Sequence, residues 1–322
     1  GHANLLSAAS TCCIKLTRKL TSMHAARFHS YGAPDVLVVE EAPEPHASEG
    51  SIRIKVHATS VNPIDVILRA GHLAQFLPMT MPVIPGRDAV GVVDEVGPGV
   101  TGTHVGDVVF GLGGVSDTTA EFAVLTAWAT VPEEWSTTQA AAAGLASATA
   151  GVALDALGDL NGKTLLIEGA SGAVGSAAAA FALGAGATVI GTGRKSNHPY
   201  LESLGVRPTT YGPGLAERVA FLAPGGVDAS LHSAPSDSLS DLLDIVGDTS
   251  QVVTVIDGQG AARLGVRKVD ARNDSALLRH ASALGTNGLY TPRVDNEFSL
   301  YDIIEAHTLA ENGIGKVVIT QP

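Results

Sequence analysis

The sequence predicts an α/β chain in two parts: a doubly wound parallel sheet and, ahead of it, a partly open barrel of antiparallel strands. Three observations carry this. The stretch at 163–194, KTLLIEGASGAVGSAAAAFALGAGATVIGTGR, reads in order as strand, glycine turn, helix and second strand. After it, strand-like and helix-like runs alternate, which requires right-handed crossovers and a parallel sheet. Before it, from Met23, short β-branched or alternating runs follow one another between Gly, Pro and acidic residues. A length of 322 residues is large for one core and suits two domains.

Residues 1–22 contain Lys and Arg but no acid, and they read as an appended tail, either an expression remnant or an organellar targeting segment. Cys12 and Cys13, the two cysteines of the chain, both fall there. The body therefore has no disulfide framework and no thiolate for zinc or nucleophilic attack, which fits a reducing compartment.

From residue 23 to 134 the runs HAARFH, VLVVEE, SIRIKVHATSV, AVGVVDEV, DVVFGL and AEFAVLT are strands, with VGPGV at 96–100 and HVGD at 104–107 as turns. Near Trp135 the texture becomes Ala-rich and helical and opens a second domain over 135–270. Within it, YLESLG, LAERVAFLA and DSLSDLLDIVG read as helices, GVRPTTY as a strand or turn, and VDASLHS and QVVTVI as strands. Beyond Ala271 the pattern loosens, then SLYDIIEAHTLAENG gives an amphipathic helix and KVVIT a last strand. Residues 271–322 are expected to return to the first domain and complete it.

The glycine turn points to chemistry. Gly169, Gly172 and Gly175 leave no Cβ in the way, so a pyrophosphate can lie against amide N–H groups at the positive end of the helix. The strand before it and the helix after it make this a dinucleotide fingerprint, against the plainer reading of a tight turn in an empty layer. At the end of the second strand stand Gly193, Arg194 and Lys195 with no acid nearby, which favours NADPH over NADH. One Arg–phosphate contact contributes about 1.5–3 kcal/mol. The competing reading is two basic residues on a solvated loop.

Composition excludes other classes. A net charge of −12 argues against nucleic acid and anionic membrane as partners, and apolar runs are interrupted by Gly, Ser or Thr before they could span a bilayer. The expectation is a cytoplasmic protein acting on a small molecule.

The motifs SVNPIDVILRAG at 60–71, PGRDAVGVVDEVGPGV at 85–100, Thr149-Ala150, EGASGAVG at 168–175 and EAHTLAENGIGKVVI at 305–319 resemble the zinc-independent quinone oxidoreductases of the medium-chain dehydrogenase/reductase superfamily. The resemblance covers nearly everything after Met23. It implies a GroES-like catalytic domain and a Rossmann domain, NADPH in the cleft between them, a quinone or enone acceptor and a homodimer. It places Asn62 and Asp65 beside the nicotinamide with Arg69 near them, where an amide and a charged group can hold a carbonyl oxygen. It places Gly169, Ala170, Ser171, Gly172, Ala173, Val174, Gly193, Arg194, Lys195 and Tyr211 on the adenosine and phosphate side, and Thr149, Val255 and Ile256, followed by Asp257, on the nicotinamide side.

Plainer readings stand beside these. Asn-Pro is a turn signal, Asp65 can cap the helix that follows, Arg69 can pair with Asp65 four residues back, and the nicotinamide-side residues can be packing at a sheet edge. Zinc-dependent relatives carry Cys in the first motif and Gly-His-Glu where this chain has Gly86-Arg87-Asp88, so a metal-free site is expected; His72 and His104 are lone residues without partners at metal spacing. Ile67 and Leu73 stand where relatives often carry Tyr, leaving the proton to solvent or a substrate hydroxyl. Two alternatives remain open: reduction of an enoyl thioester or another biosynthetic intermediate, and an NADPH-binding redox sensor without turnover.

Overall fold

The computed structural model describes residues 21–313 and 315–322; Cys12, Cys13 and nearly all of the tail lie outside the described residues. The described residues begin with an antiparallel pair, β1 (Ser22–Phe28) and β2 (Leu37–Pro43). Then come β3 (Ile52–Val61), α1 (Pro63–Ala70), β4 (Asp88–Val96), β5 (Val108–Leu112), β6 (Phe122–Leu125) and β7 (Ala127–Thr130). The run expected as one strand, AEFAVLT, is broken at Thr126, whose amide bonds Leu112 O, so β6 pairs with β3 and β7 with β5. One stretch thus serves two edges and helps close the barrel.

The long helix α2 (Thr137–Leu157) starts at Ser136, whose hydroxyl accepts from the Gln139 amide while the Gln139 side chain accepts from the Ser136 amide, a reciprocal capping box. Its faces are Ala-rich and buried all round, as an interior helix requires. This is also the one described helix long and apolar enough to cross a membrane, and most of it is buried inside the fold.

The nucleotide-type layer follows: β8 (Thr164–Glu168), α3 (Ala173–Gly184), β9 (Thr188–Thr192), α4 (His198–Ser203), β10 (Arg207–Thr209), α5 (Leu215–Leu222), β11 (Ala229–His232), α6 (Leu239–Val246), β12 (Val252–Thr254), α7 (Gly258–Leu264) and β13 (Arg267–Lys268). The strands lie parallel in the order β10-β9-β8-β11-β12-β13, so the sheet reverses direction between β8 and β11. Ligands bind at such a switch point, beyond the carboxyl ends of the strands.

The stretch after Ala271 holds α8 (Ser275–Thr286), a helix the sequence pattern did not disclose. Asp274 caps it by accepting from the Ala276 amide, and Leu277, Leu278, Ala281 and Leu284 form a narrow buried stripe among Ser, Arg and His. The chain ends with β14 (Asn296–Ser299), α9 (Ile303–Glu311) and β15 (Val317–Thr320). β15 pairs antiparallel with β3, which gives the first layer the order β14-β15-β3-β4-β5-β7. One apolar cluster runs from Phe110 and Leu112 of that layer through the alanines of α2 to Leu165, Ile167 and Leu231 of the parallel sheet. The layers are therefore joined through an interior rather than a linker.

Candidate active site

The glycine turn sits at the switch point. Gly169 has φ +81°, a conformation costly for any residue with a Cβ, and a Cβ there would lie 2.6 Å from that of Ala234. A Cβ on Gly175 would drive into Gly169 O and lie 2.8 Å from Ala170 Cα. Around the bend the Ala170 amide bonds Thr192 O, that of Gly172 bonds Gly169 O, and that of Ser176 bonds Gly172 O. Among the described residues the amides of Ala173, Val174 and Gly175, the first turn of α3, take no acceptor. Open donors at the positive end of a helix, on a backbone stripped of side chains, fit the pyrophosphate of a dinucleotide.

The loop after β9 is laced to this turn. Asn197 Nδ2 donates to Ser171 Oγ at 3.3 Å, and the Gly193 amide bonds Thr209 O. The side chains of Arg194 and Lys195 extend into solvent and make no hydrogen bond or ion pair with another described residue, while their carbonyls accept from the amides of Asn197 and His198. Tyr211 is half exposed on a loop pinned by Arg218, whose guanidinium donates to Thr210 O, Gly212 O and Pro213 O at 2.7–3.2 Å.

On the other side of the switch point lie Val255 and Ile256. Thr254 Oγ1 accepts from the amides of Ile256 (3.2 Å) and Asp257 (3.0 Å), which shapes the turn that carries them. Behind it runs a polar row that sequence reading missed: His232 contacts Thr254 Oγ1 through Nδ1 (2.9 Å) and Ser236 Oγ through Nε2 (3.0 Å), and Ser236 donates to Glu168 Oε1 (2.9 Å). Because Ser236 gives its proton to Glu168, it accepts from His232 Nε2–H, and Nδ1 in turn accepts from the Thr254 hydroxyl. Burial pushes the imidazole pKa down against the pull of Glu168 and Asp257, favouring this neutral ring. Glu168, His232 and Thr254 stand in register across β8, β11 and β12.

Thr149 lies on α2, its hydroxyl donating to Leu145 O. One turn back, the Leu145 amide bonds Asp88 Oδ2 (3.1 Å), the hub of a buried knot. Asp88 also accepts from the Ser60 hydroxyl (2.6 Å) and Asn62 Nδ2 (3.2 Å), and Lys316 Nζ donates to Asn62 Oδ1 (2.6 Å). Neither Asp88 nor Lys316 stood out as a site residue in the sequence. Asn62 is the N-cap of α1, and its amide N–H reaches Asp65 Oδ2 at 2.7 Å. Asp65 therefore does cap its helix, with its other oxygen buried and unpartnered. Burial, aided by Asp88, raises its carboxyl to about 7 against the Asn62 amide and Lys316. Burial likewise lowers the Lys316 ammonium, although Asp88 and Asp65 oppose this.

Arg69 does not join them. Its side chain is fully buried and directed elsewhere, donating to Gly32 O (3.2 Å) and Glu311 Oε1 (3.2 Å) with Nη1 3.0 Å from His307 Nδ1. It does not pair with Asp65, and its guanidinium is committed to Gly32, His307 and Glu311 rather than turned to the wall beside Asn62. Arg69 pins α1 to α9. His72 and His104 join no metal-type cluster; among the described residues no three His, Cys, Asp or Glu side chains are grouped to hold an ion.

Residues 48–135 match the alcohol dehydrogenase GroES-like domain. The chloroplast envelope quinone oxidoreductase homolog of Arabidopsis thaliana is 33% identical over 258 residues, 74% of this chain and 76% of that one. A 2-methylene-furan-3-one reductase of Solanum lycopersicum is 29% identical over 327 residues, 93% and 79% of the two chains. The solved quinone oxidoreductase of Coxiella burnetii superposes with a TM-score of 0.77 at 29% identity, over 93% of this chain and 99% of that one. The chain belongs to the quinone oxidoreductase family of the medium-chain dehydrogenase/reductase superfamily, and is an oxidoreductase that works with a nicotinamide cofactor.

Proposed function

We propose that the protein is an NADPH-dependent, zinc-independent reductase that passes hydride to a quinone or an activated C=C bond. The observation that carries the reading is the pair of unpaired cations, Arg194 and Lys195, at the strand end where an NAD-selective site presents an acid, beside a turn of open amides. In this reading 135–270 is the Rossmann domain and 23–134 with 271–322 the GroES-like domain, the cofactor lying between them. Gly169, Ala170, Ser171, Gly172, Ala173 and Val174 receive the pyrophosphate. Gly193, Arg194, Lys195 and Tyr211 receive the adenosine ribose and its phosphate, and Thr149, Val255 and Ile256 flank the nicotinamide.

The cofactor supplies hydride when bound; the chain supplies geometry. Asn62 and Asp65 line the acceptor side. Because both Nδ2 hydrogens of Asn62 are engaged, by Asp88 Oδ2 and Ser60 Oγ, while its oxygen accepts from Lys316, the amide fixes the wall rather than polarising a carbonyl freely. Asp65, with a carboxyl raised to about 7, can carry a proton on its unpartnered oxygen near neutrality and is the group in this wall best placed to give one. The tomato relative's name supports an enone, the Arabidopsis and Coxiella names a quinone. We further propose a homodimer, as the family resemblance implies, and a cytoplasmic location, which a body without cysteine suits.

NADPH oxidation followed at 340 nm against a panel of quinones and enones, with 4-deuterated cofactor, tests the reading. Label on product carbon identifies enone reduction, and hydroquinone without label identifies quinone reduction. The saturated Asn62 amide also favours a second reading, a nucleotide-binding sensor; NADPH binding with no turnover on any acceptor would select it.

A further inference from the structure

The segment between α8 and β14 runs along α3 toward its first turn. Tyr290 is stacked edge-on against Phe181 of α3 (5.3 Å between ring centres) and against Trp135 (5.5 Å), and Trp135 Nε1 donates to Tyr290 O at 2.8 Å. Three residues on, Arg293 reaches the glycine turn. Its Nη1 donates to Ser171 O (3.2 Å) and its Nη2 to Asn197 Oδ1 (3.3 Å). Nε is held by Asp295 Oδ1 at 2.9 Å, and the guanidinium lies 4.4 Å above the ring of Tyr200. Asp295 is itself anchored by the Lys316 amide (2.7 Å).

The planar group is thus fixed by one edge and one face, with its two Nη atoms turned to the cradle. What those atoms hold now is weak: two long bonds to neutral oxygens. Ser171 O is the acceptor that Gly175 N–H would use if the helix continued back, so guanidinium and open amides surround the same bend. A pyrophosphate brings two negative charges, whereas the helix end offers about half of one positive charge. Buried Glu168 at the start of the bend worsens that balance. Arg194 and Lys195 lie beyond β9, on the ribose side.

We propose that Arg293 is a pyrophosphate ligand, exchanging Ser171 O and Asn197 Oδ1 for phosphate oxygens when a dinucleotide enters. The exchange replaces two neutral acceptors with charged ones at no cost in side-chain ordering, because Asp295 and Tyr200 keep their hold. This rests on the cofactor reading above, but it separates from it: a pyrophosphate ligand serves NADH and NADPH alike, while a 2′-phosphate ligand serves only NADPH.

Fluorescence titrations of the full chain with both nucleotides test it, comparing wild type, Arg293→Gln and Arg194→Ala. Arg293→Gln is expected to weaken NADPH and NADH by the same factor, roughly 10- to 100-fold, leaving their ratio unchanged. Arg194→Ala is expected to change the ratio. Affinities within twofold of wild type, or a loss confined to NADPH, would overturn the assignment; a wild type that binds neither nucleotide would remove the cofactor reading with it. Should Arg293→Gln not fold, phenylglyoxal modification of the unaltered protein with peptide mapping decides. Protection of Arg293 by NADH supports the proposal, and equal modification with and without NADH overturns it.

Discussion

The two halves of the candidate site are built on opposite terms. Around 169–175 the chain leaves donors open: three amides without acceptors, two free cations and a guanidinium on weak partners. Around Asn62 most polar groups are tied to one another away from water: Ser60, Asn62 and the Leu145 amide to Asp88, and Lys316 to Asn62, with one oxygen of Asp65 left over. The difference is one of timing. An open cradle waits for a ligand that brings its own charge, whereas a closed knot has made its bonds at folding and holds the wall against which an acceptor must lie. Catalysis by alignment needs both.

The comparison breaks most visibly at Lys316. Lys316→Met leaves Asn62 Oδ1 buried without its donor, and an orphaned buried acceptor costs up to about 3 kcal/mol. Chemical denaturation should register that loss, while nucleotide affinity of the folded protein stays within threefold. Gly175→Val attacks the open half instead. Its side chain would occupy the space of Gly169 O and Ala170, and nucleotide affinity is expected to fall by roughly 100-fold, about 2.7 kcal/mol, in a binding titration. Were this variant to bind as wild type does, the cradle would be elsewhere.

Arg194→Ala is a smaller change. Its NADPH-to-NADH preference should drop about tenfold with NADH affinity unmoved, the worth of one charged contact. Asp65 gives the finest test, through pH. Its folded carboxyl titrates at about 7 against 3.8 for a free side chain, so between these values the folded state binds more protons than the unfolded one. The stabilisation is complete below the lower value and is lost as pH rises through 7. Wild type should therefore lose stability over that window relative to Asp65→Asn, with a slope of at most about 1.4 kcal/mol per pH unit. Parallel stability curves would show that Asp65 is not buried as described.

These contrasts also explain what the sequence could reveal. The cradle is local: strand, bend and helix are consecutive, Gly169 is required by its own positive φ and Gly175 by the backbone of the bend, so 163–194 was legible. The parallel sheet followed from alternation of the same kind. The knot is not local, since Asn62 meets Asp88 and then Lys316 across 26 and 254 residues, and no spacing rule reports such pairs. Arg69 was misjudged for the same reason; its partner Glu311 lies 242 residues away, while Asp65 stood nearby as a tempting match. Helix α8 escaped because a stripe of four apolar residues among Ser, Arg and His is too narrow to register without its neighbour α2 in view.

The central claim is that the open half receives a dinucleotide bearing a 2′-phosphate. The direct measurement is a paired equilibrium titration of the unaltered protein with NADPH and NADH. The account predicts saturable binding of both, with NADPH tighter by at least about tenfold, the worth of one charged contact to the 2′-phosphate. Equal affinities, a preference for NADH, or binding of neither would contradict it.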